Sequence, residues 1–207
     1  MGFLSNDSPL GRMFGRVGDI IIVNLLFVLC SLPVLTIGAS LCAMNFVLLK
    51  KRKGDEVPVV GTFFAAFKEN FKQGTITWLI TLAVGALLYT YIRFFGIDGP
   101  SPTPFLYYLF IILAVMVLFI VIWLFPAIAS FRGSVRDLFA RAFFFMSKNL
   151  PLTFVMAGLW ILPVVFTFYN TAFMITGVTI WICFGFGLIT WIDAYFIYRQ
   201  FRKYLSE

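Results

Sequence analysis

Few side chains in this sequence could do chemistry, and they lie where polar groups are costly. Asp193 is the one acid inside an otherwise apolar tract, about a turn and a half of helix before Arg199. Ionisable groups at membrane depth are expensive and are often kept for function. The blander account pairs Asp193 with a cation near the inner face, Arg132 or Arg136. Asn24, Thr36, Ser40 and Asn45 share a second apolar tract, which Pro33 interrupts. All four could hold a polar solute, or they could bond to backbone that the proline frees. The second account is favoured, because polar backbone inside a bilayer must be satisfied by something. Asn24, Thr36, Ser40, Asn45 and Asp193 form the candidate binding set.

The classes of chemistry that the chain lacks are as informative. It has no histidine, so the commonest general base and metal ligand is missing. No HExxH, GxSxG, P-loop, GxGxxG or paired-carboxylate pattern occurs. Cys30, Cys42 and Cys183 all fall in apolar tracts with no CxxC pair, and are expected to be reduced packing residues. The expectation is a protein that is not an enzyme, with no catalytic residue, metal or cofactor. Phenylalanine is abundant but suits packing or lipid contact. Tyr169-Asn170 is the one weak candidate for stacking on a sugar.

The elements that must position these residues follow from composition. Of 207 residues, 61% are hydrophobic and 12% charged. A soluble domain carries roughly 25% charged residues, so the chain belongs to the membrane class. Lys and Arg exceed Asp and Glu by 16 to 9. That excess flanks apolar spans and forms no separate basic domain, so it marks inner-face loops, and no nucleic-acid partner is expected.

The organising stretch runs from Ile20 to Leu49 without a charge. About 30 residues of helix make a rod of roughly 45 Å. A bilayer core is ~30 Å thick, so the stretch is too long for one upright span and too short for two. Pro33 and Gly38 break it. Two short helices joined by a bend between Ser31 and Gly38 are expected, with other helices wrapped around them. Gly38, Ala39, Cys42 and Ala43 form a small-residue face suited to close packing. Gly177, Gly185 and Gly187 are read as packing or bending positions.

Lys50 to Lys53 is a run of four cations that places this turn on the cytoplasmic side. Phe63, Phe67 and Phe71 then recur every four residues, opposite Lys68, Glu69 and Lys72. This amphipathic helix should lie along the interface or extend the span from Gly74 to Ile92. A Gly- and Pro-rich loop from Arg93 to Pro104 follows on the outer side. The next span runs from Phe105 to Phe131, with a kink or stop expected at Pro126. Ser134 and Asp137 make an imperfect capping box for a second amphipathic helix. About 44 uncharged residues from Asn149 to Ile192 allow two more spans around a turn at Phe168 to Thr171. The order span, basic turn, amphipathic helix, Asn, span occurs twice and reads as a candidate parallel repeat.

The expected fold is therefore an all-α integral membrane protein forming one transmembrane domain over residues 1–207. It has six helical membrane segments, the first two short and broken between Ser31 and Gly38, plus two interfacial amphipathic helices. Both ends and all basic loops would lie inside, in a plasma membrane; if the first tract is instead one long tilted helix, there are five spans and Arg12 and Arg16 lie outside.

The run NLLFVLCSLPVLTIGAS from Asn24 to Ser40, followed by FKENFKQGTITWLI, resembles the YesL-like family of bacterial membrane proteins. Ser31-Leu32-Pro33 with Thr36-Ile37-Gly38-Ala39-Ser40 carries the resemblance most specifically. GFLSNDSPLGRMFGRVGDI and the region FPAIASF to LFARAFFFMSKNLPLT extend it over nearly the whole chain. The resemblance implies a multi-pass membrane protein associated with carbohydrate uptake, and it transfers no catalytic residue. The expected function is a non-catalytic accessory or regulatory partner of a carbohydrate uptake system. Its partners would be the lipid bilayer and a sugar ABC-transporter permease or membrane sensor. The alternative is a small transporter or channel for a sugar or other polar solute, with its site at the broken helix.

Overall fold

The computed structural model describes residues 9–205, with side chains from 14 to 204. Ser8, which the following Pro9 marks in the sequence as a candidate cap of the first helix, lies outside them, as does the side chain of Arg12. Helix α1 spans Pro9–Cys30. It stops just before Pro33, a 3₁₀ turn follows over Val34–Thr36, and α2 spans Ile37–Lys53. The amide of Thr36 donates to the Pro33 carbonyl at 2.9 Å and closes the turn. The chain then doubles back, because Lys51 near the end of α2 pairs with Asp19 in α1 at 2.8 Å. Gly54, with φ of 102°, caps α2 in the left-handed conformation that glycine adopts without strain.

Helix α3 covers Val59–Phe95, 37 residues or ~55 Å. The first amphipathic stretch is therefore not a separate helix: it continues into the span that follows. The second behaves differently. Helix α5, Val135–Lys148, is separated from α6, Leu150–Thr167, by Asn149 in a non-helical conformation. The cause is local. Pro151 has no amide to give a continuous ladder, and it sits in the first turn of α6, where none is needed. Asn70 and Asn149 still do the same thing, donating to the carbonyls of Ala66 and Phe145 four residues earlier.

Helix α4, Pro104–Ser130, runs through Pro126 without ending there. The box at the start of α5 forms as its sequence predicts. The Ser134 amide donates to Asp137 Oδ2 at 3.0 Å, and the Asp137 amide donates to Ser134 Oγ at 3.3 Å. The Ser134 hydroxyl, which donates to Asp137 Oδ2 at 2.6 Å, and then the Ser134 amide hold the Asp137 carboxyl below its usual range. After α6 the chain turns at 168–170. Helix α7, Thr171–Ile180, then passes through a π-helical turn, Trp181–Gly185, into α8, Phe186–Leu205.

The described residues are helical or in turns, with no strand. Among the described residues, five helical stretches are long and apolar enough to cross a bilayer: the 3₁₀ turn with α2, α3, α4, α6, and the run from α7 into α8. The molecule is thus an all-helical membrane protein. Its most buried element is α2, where Ala39, Cys42, Ala43, Met44, Val47 and Leu48 are fully covered. Helices α1, α3, α4 and α8 surround it. The small-residue face sets the closest crossing: a Cβ on Gly38 would run into the Gly74 carbonyl of α3, and one on Gly74 would meet Ala39 Cα at 2.9 Å.

Contacts gather the charged segments at one end of the bundle. There Asp19 meets Lys51, Glu69 meets Arg132, Gln73 bonds the Gly133 carbonyl, and Lys148 bonds the Tyr204 hydroxyl. Beneath them Trp123, Phe131, Phe145 and Phe201 form one aromatic cluster.

Candidate functional site

The five candidate residues separate into three places. Thr36 and Ser40 close the break in the first tract. Thr36 Oγ1 donates toward the Cys30 and Pro33 carbonyls, at 2.5 and 2.8 Å. Ser40 Oγ donates to the Thr36 carbonyl at 3.0 Å, and the indole of Trp78 on α3 donates to the Val34 carbonyl at 2.8 Å. The carbonyls that Pro33 disturbs are thus met by the protein itself, while Ser31 Oγ is buried without a partner.

Asn24 does something the sequence did not indicate. It is fully buried on α1 and spans the π-helical turn of the last helix. Its Nδ2 donates to the Trp181 and Ile182 carbonyls at 3.2 and 2.7 Å. Its Oδ1 accepts from the Gly187 amide at 2.8 Å. A π-turn inserts a residue into the i→i−4 ladder and leaves backbone groups out of register. One primary amide supplies both the donors and the acceptor they need. Gly187 allows the approach, since a Cβ there would lie 2.8 Å from the Ile20 carbonyl. The expectation that Asn24 would bond to backbone freed by Pro33 is therefore replaced: it bonds to backbone freed elsewhere.

Asn45 and Asp193 come together. Both line a cavity of about 210 Å³ between α2, α4, α6 and α8. Its walls are largely hydrocarbon, including Leu41, Val121, Ile122, Phe125 and Ile197. Asn45 Nδ2 donates back to the Leu41 carbonyl on its own helix at 2.8 Å. Asp193 is 4% exposed. Its Oδ2 accepts from the indole of Trp160 at 2.8 Å, whereas its Oδ1 has no partner among the described residues. Thr190 also lines the cavity, and its Oγ1 is covered and has no partner among the described residues.

Pairing of Asp193 with Arg132 or Arg136 is not what holds it. Arg132 meets Glu69 at 3.3 Å, and no described ion pair reaches Asp193. Arg52 approaches α8 from the other side. It bonds the Trp191 carbonyl at 3.1 Å and lies over the rings of Trp191 and Tyr195. Positions two apart on a helix point about 200° away from each other, so this cation faces away from Asp193.

Sequence reasoning missed Trp160 and Thr190. Thr190 was within reach, since it precedes Asp193 by three residues and so shares its helix face. Trp160 carries no local signal, because its partner is 33 positions away. Cys183 departs from its expected packing role: it is exposed, whereas Cys42 is buried and Cys30 half-buried. Among the described residues no three His, Cys, Asp or Glu side chains come together as metal ligands would.

A family model described as a protein of unknown function, DUF624, matches residues 20–91. That interval holds the broken tract and most of α3. A protein of Bacillus subtilis (strain 168) described as "Uncharacterized protein YesL" is 26% identical over 144 residues, covering 69% of this chain and 68% of its own length. No solved structure matches the chain. The family match and the relative agree with the resemblance carried by the Ser31-Leu32-Pro33 and Thr36 to Ser40 motif.

Proposed function

Taking the chain as a YesL-like membrane protein, we propose that it is a non-catalytic partner subunit rather than a carrier. In this reading it assists or regulates a carbohydrate uptake system, with a sugar permease or a membrane sensor as its partner. The observation that carries the reading is the closed break. Carriers that use broken helices expose unwound backbone to the solute near the midplane. Here Thr36, Ser40 and Trp78 already occupy the carbonyls at the turn. The carbohydrate connection rests on the family resemblance alone.

The topology belongs to the same proposal. The basic end of the bundle faces the cytoplasm of a plasma membrane, following the preference of Lys and Arg for inner loops. Helices α1 and α2 enter as a hairpin from that side, giving six segments in all. The start of α3 and all of α5 lie at the inner interface.

The test is purification from native membranes in mild detergent, followed by reconstitution alone. Recovery of a permease or sensor in fixed stoichiometry, with no sugar flux through vesicles holding only this chain, is the expected result. Sugar flux through the lone protein overturns the reading, and so does recovery with no partner after cross-linking in intact cells.

A further inference from the structure

The Asp193 cavity asks for a ligand of definite chemistry. A carboxylate buried at membrane depth is costly unless a cation or several donors meet it. Asp193 has one donor, the Trp160 indole, and its second oxygen has none. The hydroxyl of Thr190, one helical turn earlier on the same wall, is likewise unmatched. Asn45, its Nδ2 turned back to the Leu41 carbonyl, is the other polar residue on the wall, and the rest is hydrocarbon, so a strongly polar molecule finds few partners there. An engineered apolar cavity of ~150 Å³ accommodates benzene. A volume of about 210 Å³ therefore suits a body somewhat larger than one six-membered ring. The rim residues Leu118 and Ile161 are 38% and 44% exposed, so the opening faces the lipid-contacting side of α4 and α6.

We infer that this cavity is a binding site for a primary ammonium group carried on a small apolar body, reached from the bilayer. The ammonium pairs with the Asp193 carboxylate beside the Thr190 hydroxyl, whose covered oxygens turn toward the cavity to meet it, and the hydrocarbon packs against Val121, Ile122 and Phe125. Trp160 is a positioning residue that holds the carboxylate through its other oxygen. This site is separate from the closed break, and the inference does not rest on the partner-subunit reading. The ammonium belongs to a free amine that enters from the lipid, because the phosphate of an aminophospholipid headgroup would have to lie among those hydrocarbon side chains.

The experiment uses the full chain in phosphatidylcholine nanodiscs and calorimetric titration with benzylamine and benzyl alcohol, which differ little in shape. Benzylamine should bind saturably and about tenfold or more tighter than the alcohol, the factor expected for a bond to a charged rather than a neutral partner. Asp193→Asn should bring the two affinities within about twofold of each other. Ala157→Leu, which fills the cavity wall, should abolish both. Phosphatidylethanolamine in the disc should leave benzylamine binding unchanged, and competition by that lipid would overturn the assignment to a free apolar amine. Equal affinities in the native protein overturn the inference, and so does absence of saturable binding. Native-like amine affinity in a folded Asp193→Asn protein also overturns it. The amine-to-alcohol ratio of the native chain decides the matter even where a variant fails to fold.

Discussion

Two stretches of the apolar interior depart from regular helix, residues 31–36 and Trp181–Gly185, and they are repaired from different distances. At the first, Thr36 reaches carbonyls three and six residues before it, and Ser40 reaches back four. Only Trp78 comes from another helix. At the second, repair comes from Asn24, more than 150 positions away. A break made by proline can carry its own remedy in the next few residues. A π-turn within a continuing helix has no such neighbour, so a different helix must supply the amide. The first region should then survive the loss of any one bond, whereas the second depends on a single side chain.

Substitutions can break this contrast, and the largest effect is expected at Asn24. Asn24→Leu removes three bonds and strands backbone of the π-turn and of Gly187 on α8, which should cost about 2–4 kcal/mol. Reversible unfolding in mixed micelles measures it, and a loss no greater than that of Thr36→Val would erase the distinction. Gly38→Ala comes next, at about 1–3 kcal/mol, because its new methyl meets the Gly74 carbonyl and forces α2 and α3 apart. A cysteine pair placed across that crossing should cross-link more slowly in the variant. Thr36→Val should cost about 1 kcal/mol, since Trp78 and the Thr36 amide continue to hold the turn. Pro33→Ala should have the smallest effect, within about 0.5 kcal/mol, if the bonds of Thr36 rather than the ring maintain the turn. A hairpin that straightens in this variant, seen as separation of spin labels near Asp19 and Lys51, would instead make the proline the sole cause of the break.

The paired amphipathic stretches sharpen what local sequence can carry. The Phe63, Phe67, Phe71 spacing and the Val135 to Met146 pattern look alike, yet one is the head of a long helix and the other a helix of its own. The deciding residue, Pro151, was visible, and its effect on α6 follows from the missing amide. The capping box at Ser134 was legible for the same reason, since all its atoms lie within one turn of chain. The site was legible only in its types. Asp193 and Asn45 stand out as polar residues in apolar tracts, but nothing near either one indicates that they face the same cavity. Asn24 stood out equally and proved to belong to a different structure.

Composition and charge pattern alone fixed the membrane class, the break near Pro33, the small-residue face and the asymmetry of basic residues. Each is a property of a window no longer than one helix, and hydrocarbon or backbone sterics act on that window directly. Tertiary structure alone decided which polar side chain answers which unsatisfied group. Asn24 with the π-turn, Trp160 with Asp193 and Gly38 with Gly74 are pairings between helices far apart in sequence. Hydrogen bonds and close packing act over a few ångströms of space, and only the folded bundle brings those positions within that range.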